Sequence, residues 1–335
     1  MTAQPSPLID TVDVIDVDLA GDARRLLARC VPTALRDDRF DLWPGGPATA
    51  TPGATVDPAE GVTGDPSARV SPLPLTAAVA RLDGELVGLL TAPVGDDRAD
   101  LDLLVDPAVH DQADTAHRLV VAALAALGEA GPATVQLWAR PRHRWHHDLA
   151  RRLDARPTRV LHQMRAPLPV TVEPLASRAY RAHDDLEALR SVNNRAFATH
   201  PDQGGRTAEQ LLGPMAEPWF RPEGVRLHEI DGRLAGFCWT KIHAERPNDD
   251  GPATPALGEI YVIGVDPDFH GRGLGVPMTA AGLVWLTEQG LTTAMLYVEA
   301  DNAPALRTYE RLGFEIVRSD AAWLLPRRSR TGADR

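Results

Sequence analysis

The sequence predicts an α/β protein built as two copies of one unit, and three observations predict it. A hairpin phrase occurs twice: residues 77–92 and 225–241 each place two apolar runs around an Asp-Gly pair, the dipeptide favoured in tight β-turns. The segment Leu101-Asp-Leu-Leu-Val-Asp-Pro-Ala-Val-His110 matches Ile260-Tyr-Val-Ile-Gly-Val-Asp-Pro-Asp-Phe-His270 in outline. Each of these leads into a helix-like stretch, Leu119 to Leu127 and Pro277 to Thr287. A β-rich run follows each, Ala133 to Ala139 and Thr293 to Glu299.

The elements follow in order. The acidic start, Met1 to Asp18, has neither a basic n-region nor an apolar h-region, so no secretory signal is expected. Residues Pro44 to Pro74 are rich in Pro, Gly, Ala, Thr and Asp and read as a long flexible loop. The first hairpin, its Val-Asp-Pro segment and the Ala-rich helix complete the first copy. The basic run Arg140-Pro-Arg-His-Arg-Trp-His-His147 reads as a solvated loop leading into a helix. A Pro-rich join around Pro167 to Pro174 separates the copies. The expected domains are 1–168, with 44–74 as its loop, and 169–328.

Composition limits the function classes. The chain of 335 residues is 44% hydrophobic and 24% charged, which allows a packed core. No apolar run reaches the roughly 18 residues that a membrane span requires. The net charge of −11 argues against non-specific nucleic-acid binding, which relies on clustered cations. Cys30 and Cys238 make neither a metal cluster nor a disulfide framework, and a reducing cytoplasm fits best. Every basic residue of the Lys/Arg pair is arginine except Lys241. Arginine does not replace lysine where a compact ammonium must fit a small site. Lys241 is therefore a candidate held by chemistry, the alternative being chance survival on a surface.

The copies diverge after their shared Val-Asp-Pro-x-x-His. The second continues Gly271-Arg-Gly-Leu-Gly275 and the first Asp111-Gln-Ala-Asp-Thr115. Glycines between a strand and a helix permit positive φ and close approach of a ligand to free N–H groups. With the helix N-terminus behind them, those groups favour phosphate oxygens. His270 to Val276, with Arg272 adding a charge, thus reads as a pyrophosphate cradle; the alternative is a tight strand–helix turn. The first copy's loop brings side chains and negative charge instead, and poor cofactor binding is expected there. Neither the dinucleotide fingerprint nor a Walker lysine is present.

Val265-Asp-Pro-x-x-His-Gly-Arg-Gly-Leu-Gly275 resembles the acetyl-CoA loop of the GNAT acetyltransferase superfamily. Tyr297-Val-Glu-Ala-Asp-Asn-Ala-Pro-Ala-Leu-Arg-Thr-Tyr-Glu-Arg-Leu-Gly-Phe314 resembles that superfamily's second signature. A narrower resemblance, carried by Asn193 to Gly205, Phe237 to His243 and Gly258 to Val265, is to a tandem actinobacterial branch of the superfamily. Members of that branch acetylate the cysteinyl amine of a Cys–glucosamine–inositol pseudodisaccharide.

The resemblance implies two tandem GNAT-like domains. Each would be a mixed, mostly antiparallel sheet with a splayed parallel strand pair and flanking helices. It implies acetyl-CoA as co-substrate, no metal, and a small thiol–sugar acceptor, with no nucleic-acid or membrane partner. A cytoplasmic monomer is expected. It assigns Glu259 as base and acceptor contact; a solvated strand-end glutamate is the alternative. Ile263, Gly264 and Val265 would offer backbone groups to the pantetheine arm, or else form an ordinary core strand. Asn302, Ala303, Pro304, Ala305, Leu306 and Arg307 fall on coenzyme A, with Asn302 able to cap that helix. Tyr309, seven positions on and on the same helical face, would protonate the leaving thiolate, or else only pack. Asp202, Lys241 and Tyr297 are acceptor-site candidates, Asp202 having a turn role as its alternative. His200 and His243 are expected to be polar loop residues rather than metal ligands. Two other readings stay open: a tandem acetyltransferase for another small amine or peptide N-terminus, and a non-catalytic acyl-CoA sensor.

Overall fold

The structure is a computed structural model describing residues 8–12, 17–30, 75–93, 98–128, 131–200, 203–245 and 253–326. The expected loop at 44–74 lies outside the described residues. The chain divides into two compact units, one of residues 1–160 with 319–335 and the other of 161–318.

In the first unit, β1 (Leu8–Val12), β2 (Leu75–Leu82), β3 (Glu85–Pro93), β4 (Arg98–Val105) and β5 (Thr134–Ala139) lie side by side in that order. They are followed by the end of β12 (Glu315–Leu324), whose Ala321–Leu324 pairs with β5. Only β4 and β5 run parallel. Helix α1 (Val17–Cys30) puts Ala23, Leu26 and Leu27 into a cluster with Val79, Leu86 and Leu89. Helix α2 (Gln112–Leu127) covers the main core with Ala116, Leu119, Val120 and Ala123. Helix α3 (Arg144–Arg152) follows β5.

The second unit repeats this plan. Its strands lie in the order β7 (Arg178–Ala179), β8 (Val225–Ile230), β9 (Arg233–His243), β10 (Leu257–Val265), β11 (Thr293–Glu299) and β6 (Arg156–Pro167), of which Leu161–Pro167 pairs with β11. Again one pair, β10 with β11, is parallel. Each sheet is thus completed by a strand from the other half of the chain. Helices α4 (Leu186–Ala196) and α5 (Ala208–Met215) cover one face. Helix α6 (Gly275–Glu288) covers the other, with α7 (Ala303–Glu310) packed into the same core through Tyr309.

Alternation sorts β9 between these faces. Cys238 joins the α6 core, while Phe237 and Trp239 join the α4 side. An edge clamp fixes β7 to the start of α4: Arg178 donates through both Nη atoms to the two Asp185 oxygens at 2.7 Å. That bidentate bond, with the Arg181 amide at 2.7 Å, holds the Asp185 carboxyl below the usual range.

The basic run at 140–147 departs from the expected solvated segment. His146 is 2% exposed, stacked on Trp145 and Trp323. Burial there opposes a charge, so its pKa is held down to about 3.

Candidate active site

Two features of β10 build the site. The first is that its parallel ladder with β11 covers only Gly258–Ile260 and then stops, while its ladder with β9 continues to Val265. The strand pair therefore opens along Tyr261–Val265, beside Ile263, Gly264 and Val265. The second is a bulge between Ile260 and Val262. An extra residue shifts the two-residue alternation by one step. Ile260 and Ile263 both pack on the α6 side, three residues apart, while Val262 packs on the α4 side. Glu259 and Tyr261 consequently share the α4 face with Trp239, Lys241 and His243 of β9.

On that face, Glu259 and Lys241 are direct cross-strand partners. The Lys241 ammonium lies 4.6 Å from the ring centre of Trp219 and 5.7 Å from that of Tyr261. A cation over aromatic faces is held there by the ring electrons, a contact worth about 0.5–2 kcal/mol. Beyond Glu259 lies His243, 2.7 Å from its carboxylate. His243 is the last residue of β9 and 5% exposed, not the loop residue expected from sequence.

The glycine loop follows β10. Asp266 Oδ1 accepts from the Asp268 amide at 2.9 Å, and Arg195 and Arg233 reach the Asp266 and Asp268 carboxylates. His270 Nε2 donates to Val265 O at 3.0 Å. Gly271 and Gly273 then take φ of 77° and 72°, with open space where a Cβ would stand. Helix α6 starts at Gly275 after Leu274, and no side chain caps it. Its first N–H groups are left to whatever anion arrives. The donor set and open glycine surface fit a pyrophosphate.

Helix α7 stands close by: a Cβ on Gly275 would meet Thr308 at 3.7 Å. Asn302 caps α7, its Oδ1 accepting from the Ala305 amide at 3.2 Å, with Pro304 in the first turn. Ala303, Ala305, Leu306 and Arg307 follow on that helix. Tyr309 is buried, and burial pushes its hydroxyl pKa up. The described residues give that hydroxyl no hydrogen-bond partner. Tyr297, on β11, accepts at its hydroxyl from Gln163 Nε2 at 2.6 Å and Arg318 Nη2 at 3.0 Å.

Asp202 lies outside the described residues. The adjoining segment is held to α4, where Asn193 Nδ2 donates to Gln203 O at 2.8 Å and Asn194 Oδ1 accepts from the Arg206 amide at 2.8 Å. His200 Nδ1 accepts from the Gln203 amide at 3.2 Å. Among the described residues, no three His, Cys, Asp or Glu side chains gather as a metal site, and no helix is long and apolar enough to cross a membrane. Neither Cys30 nor Cys238 forms a disulfide.

Sequence reasoning missed Trp219, Tyr261 and His243. The last two carried a signal, because Tyr261 stands two places after Glu259 and His243 two after Lys241.

This fold and site define a GNAT acyltransferase, and the family model for the GNAT acetyltransferases matches residues 187–314. The chain belongs to the mycothiol acetyltransferase family. It is 44% identical over 238 residues to the mycothiol acetyltransferase of Acidimicrobium ferrooxidans, covering 68% of this chain and 74% of that one. With the Streptomyces avermitilis mycothiol acetyltransferase it shares 38% over 308 residues, covering 83% and 96%. Among solved structures, a tandem GNAT protein from the clavulanic acid biosynthesis pathway superposes with a TM-score of 0.60 at 18% identity, over 96% of this chain and all of that one. A GCN5-related N-acetyltransferase from Sphaerobacter thermophilus also gives 0.60, at 21% identity, over 75% and 81%. The protein is an acetyl-CoA-dependent acyltransferase of mycothiol biosynthesis.

Proposed function

We propose that the enzyme acetylates the cysteinyl amine of a Cys–glucosamine–inositol pseudodisaccharide, and that the C-terminal domain expected from the sequence, residues 169–328, does the chemistry. One observation carries the reading: β10 bears Glu259 near its start and runs directly into a glycine loop at a helix start that no side chain caps. Base and anion cradle are then fixed by one strand.

Acetyl-CoA supplies the acetyl thioester. Main-chain groups of His270, Gly271, Arg272, Gly273, Leu274, Gly275 and Val276 hold its phosphates. Those of Ile263, Gly264 and Val265 line its arm where β10 parts from β11, with Asn302 to Arg307 on the other side. Glu259 takes a proton from the acceptor ammonium, leaving the amine lone pair free to attack. Tyr309 keeps its proton until the thiolate departs, which its burial favours. Lys241, Asp202 and Tyr297 orient the acceptor. In the N-terminal domain expected from the sequence, residues 1–168, the same loop is degenerate, and that domain serves as scaffold. The family resemblance supports a cytoplasmic monomer that meets a small thiol–sugar, and the net charge of −11 argues against a nucleic-acid partner.

The test presents acetyl-CoA with the cysteinyl pseudodisaccharide and, in parallel, a panel of other amines, and follows thiol release. Turnover on the pseudodisaccharide is expected. No release with it but turnover on another amine overturns the acceptor assignment. Glu259→Ala is expected to lower kcat by about 100-fold or more, the range of a positioned general base, with acetyl-CoA affinity intact. An unchanged kcat removes Glu259 as base.

A further inference from the structure

His243 and Glu259 form a buried pair, 5% and 7% exposed, with His243 Nε2 and Glu259 Oε2 2.7 Å apart. A carboxylate ready to accept a proton has none to give, so the hydrogen of this bond sits on Nε2 and His243 is the donor. The bond uses one carboxylate oxygen. Among the described residues, nothing hydrogen-bonds to the other, Oε1.

We propose that His243 is a positioning residue for acetyl transfer: its Nε2–H pins Oε2 of Glu259 so that Oε1 faces the acceptor ammonium. The proposal rests on Glu259 being the base. The side chain of a glutamate has three rotors, and holding them costs conformational entropy that a buried hydrogen bond offsets. The ladder supplies the rest. Glu259 is opposite Lys241, and His243 is two residues further along β9, so both face Glu259 from the neighbouring strand. The step itself is simple. The ammonium N–H bond breaks, its proton joins Oε1, and the electron pair remains on nitrogen. His243 keeps its proton throughout, and no redox change occurs. Lys241 and His243 divide the work: one holds the acceptor and the other aims the base.

Two amides of different length test this. His243→Gln places an amide N–H near the Nε2 position, whereas His243→Asn offers the same group one methylene short. His243→Asn is expected to lower kcat by about tenfold or more, the effect of a misplaced catalytic group, without weakening acetyl-CoA binding. His243→Gln is expected to recover most of that loss. In a Glu259→Gln background, exchanging His243 for Asn should change kcat less than about twofold, because the residue acts only through Glu259.

Equal kcat for the Asn and Gln variants overturns the proposal. So does a Gln variant as slow as Glu259→Ala, which would make the imidazole itself the base. A full additional loss in the Glu259→Gln background overturns it too. If Glu259→Ala leaves kcat unchanged, the base assignment has failed instead, and the two failures are separable. His243→Gln and the Glu259→Gln/His243→Asn pair keep the test decisive should His243→Asn alone not fold.

Discussion

Asp106 and Asp266 hold the same place in their units. Each donates its amide to the neighbouring strand, to Val87 O at 2.8 Å and to Ala235 O at 2.9 Å. Each carboxylate accepts from the amide two residues on, at 2.9 Å in both cases. Each is held by an arginine from the helix before the hairpin or at its side, Arg29 in α1 and Arg195 in α4. After the shared histidine the two turns part. In the first unit, Asp111 caps α2, its Oδ1 accepting from the Asp114 amide at 2.8 Å. Arg152 stands 3.8 Å from Asp111 and from Asp114. In the second, two glycines at positive φ lead to a helix start that no side chain caps. The Asp111 carboxylate bonds an N–H that a phosphate would otherwise take, which is how the proposed duplication would leave the first site closed.

The position of the proposed base differs in the same sense. Counting back from the two Val-Asp-Pro turns, and leaving out the bulged residue, Asp100 falls where Glu259 stands. Asp100 is tied to Arg98 Nε at 2.9 Å and Trp138 Nε1 at 3.2 Å. Its Oδ1 serves the sheet. Counting forward from the Asp-Gly turns, Lys241 has Pro93 as its counterpart.

The largest effect should come from giving the active loop its twin's residues. The variant G271D/R272Q/G273A/L274D/G275T forces side chains into two positive-φ positions, at about 1–2 kcal/mol each, before any phosphate contact is lost. Acetyl-CoA affinity should fall by about 100-fold or more by calorimetry, since each 1.4 kcal/mol is tenfold. The same titration on the natural protein should give one tight site per chain. Two equal tight sites would break the comparison.

That contrast was readable in the sequence because it is local: five successive positions decide it, with three glycines in one copy and two aspartates in the other. Helices α2, α6 and α7 and the Asn302 cap were legible for the same reason, each being fixed by residues near in sequence, whereas the parallel pair in each copy was implied by the family resemblance. The bulge was legible only in hindsight. The segment from Ile260 to His270 is one residue longer than that from Leu101 to His110, and the surplus is the bulge that turns the face of β10. The exchange of β6 and β12 between the sheets left no local trace, because pairing with a distant strand is not encoded in alternation. The burial of His146 and His243 was missed for a related reason: a histidine looks polar until its tertiary neighbours are known.

Lys241 gives the next effect. Lys241→Ala should raise KM for the acceptor by about tenfold, the loss of one charge-assisted hydrogen bond, while KM for acetyl-CoA stays within about twofold. Lys241→Arg should not restore it, because a guanidinium stacked on Trp219 presents its donors in a fixed plane and not as a compact ammonium. An unchanged acceptor KM in Lys241→Ala would leave the solitary lysine as a packing residue, and Pro93 as its uninformative twin.

The smallest effect separates the units by acid stability. His146 of the first unit is held neutral to about pH 3 by burial, with the neighbouring His143 charge adding to it. The unfolded chain takes that proton near pH 6.5. With the folded value depressed, His146 contributes stability in full above pH 6.5, and this contribution is lost as pH falls from there towards 3. The slope is at most about 1.4 kcal/mol per pH unit. In the second unit, Asp185 is held low by Arg178, so its contribution is present above the unfolded carboxyl value and is lost only in stronger acid. Between pH 6.5 and 5, hydrogen exchange should therefore quicken in β4 and β5 before β9 and β10. His146→Asn keeps an acceptor for the His143 amide, which now bonds Nδ1 at 3.0 Å, and removes the titration. It should flatten the pH dependence of the first unit alone. If β9 and β10 loosen first, or the Asn variant keeps the slope, the buried histidine is not what sets the acid limit of the first unit.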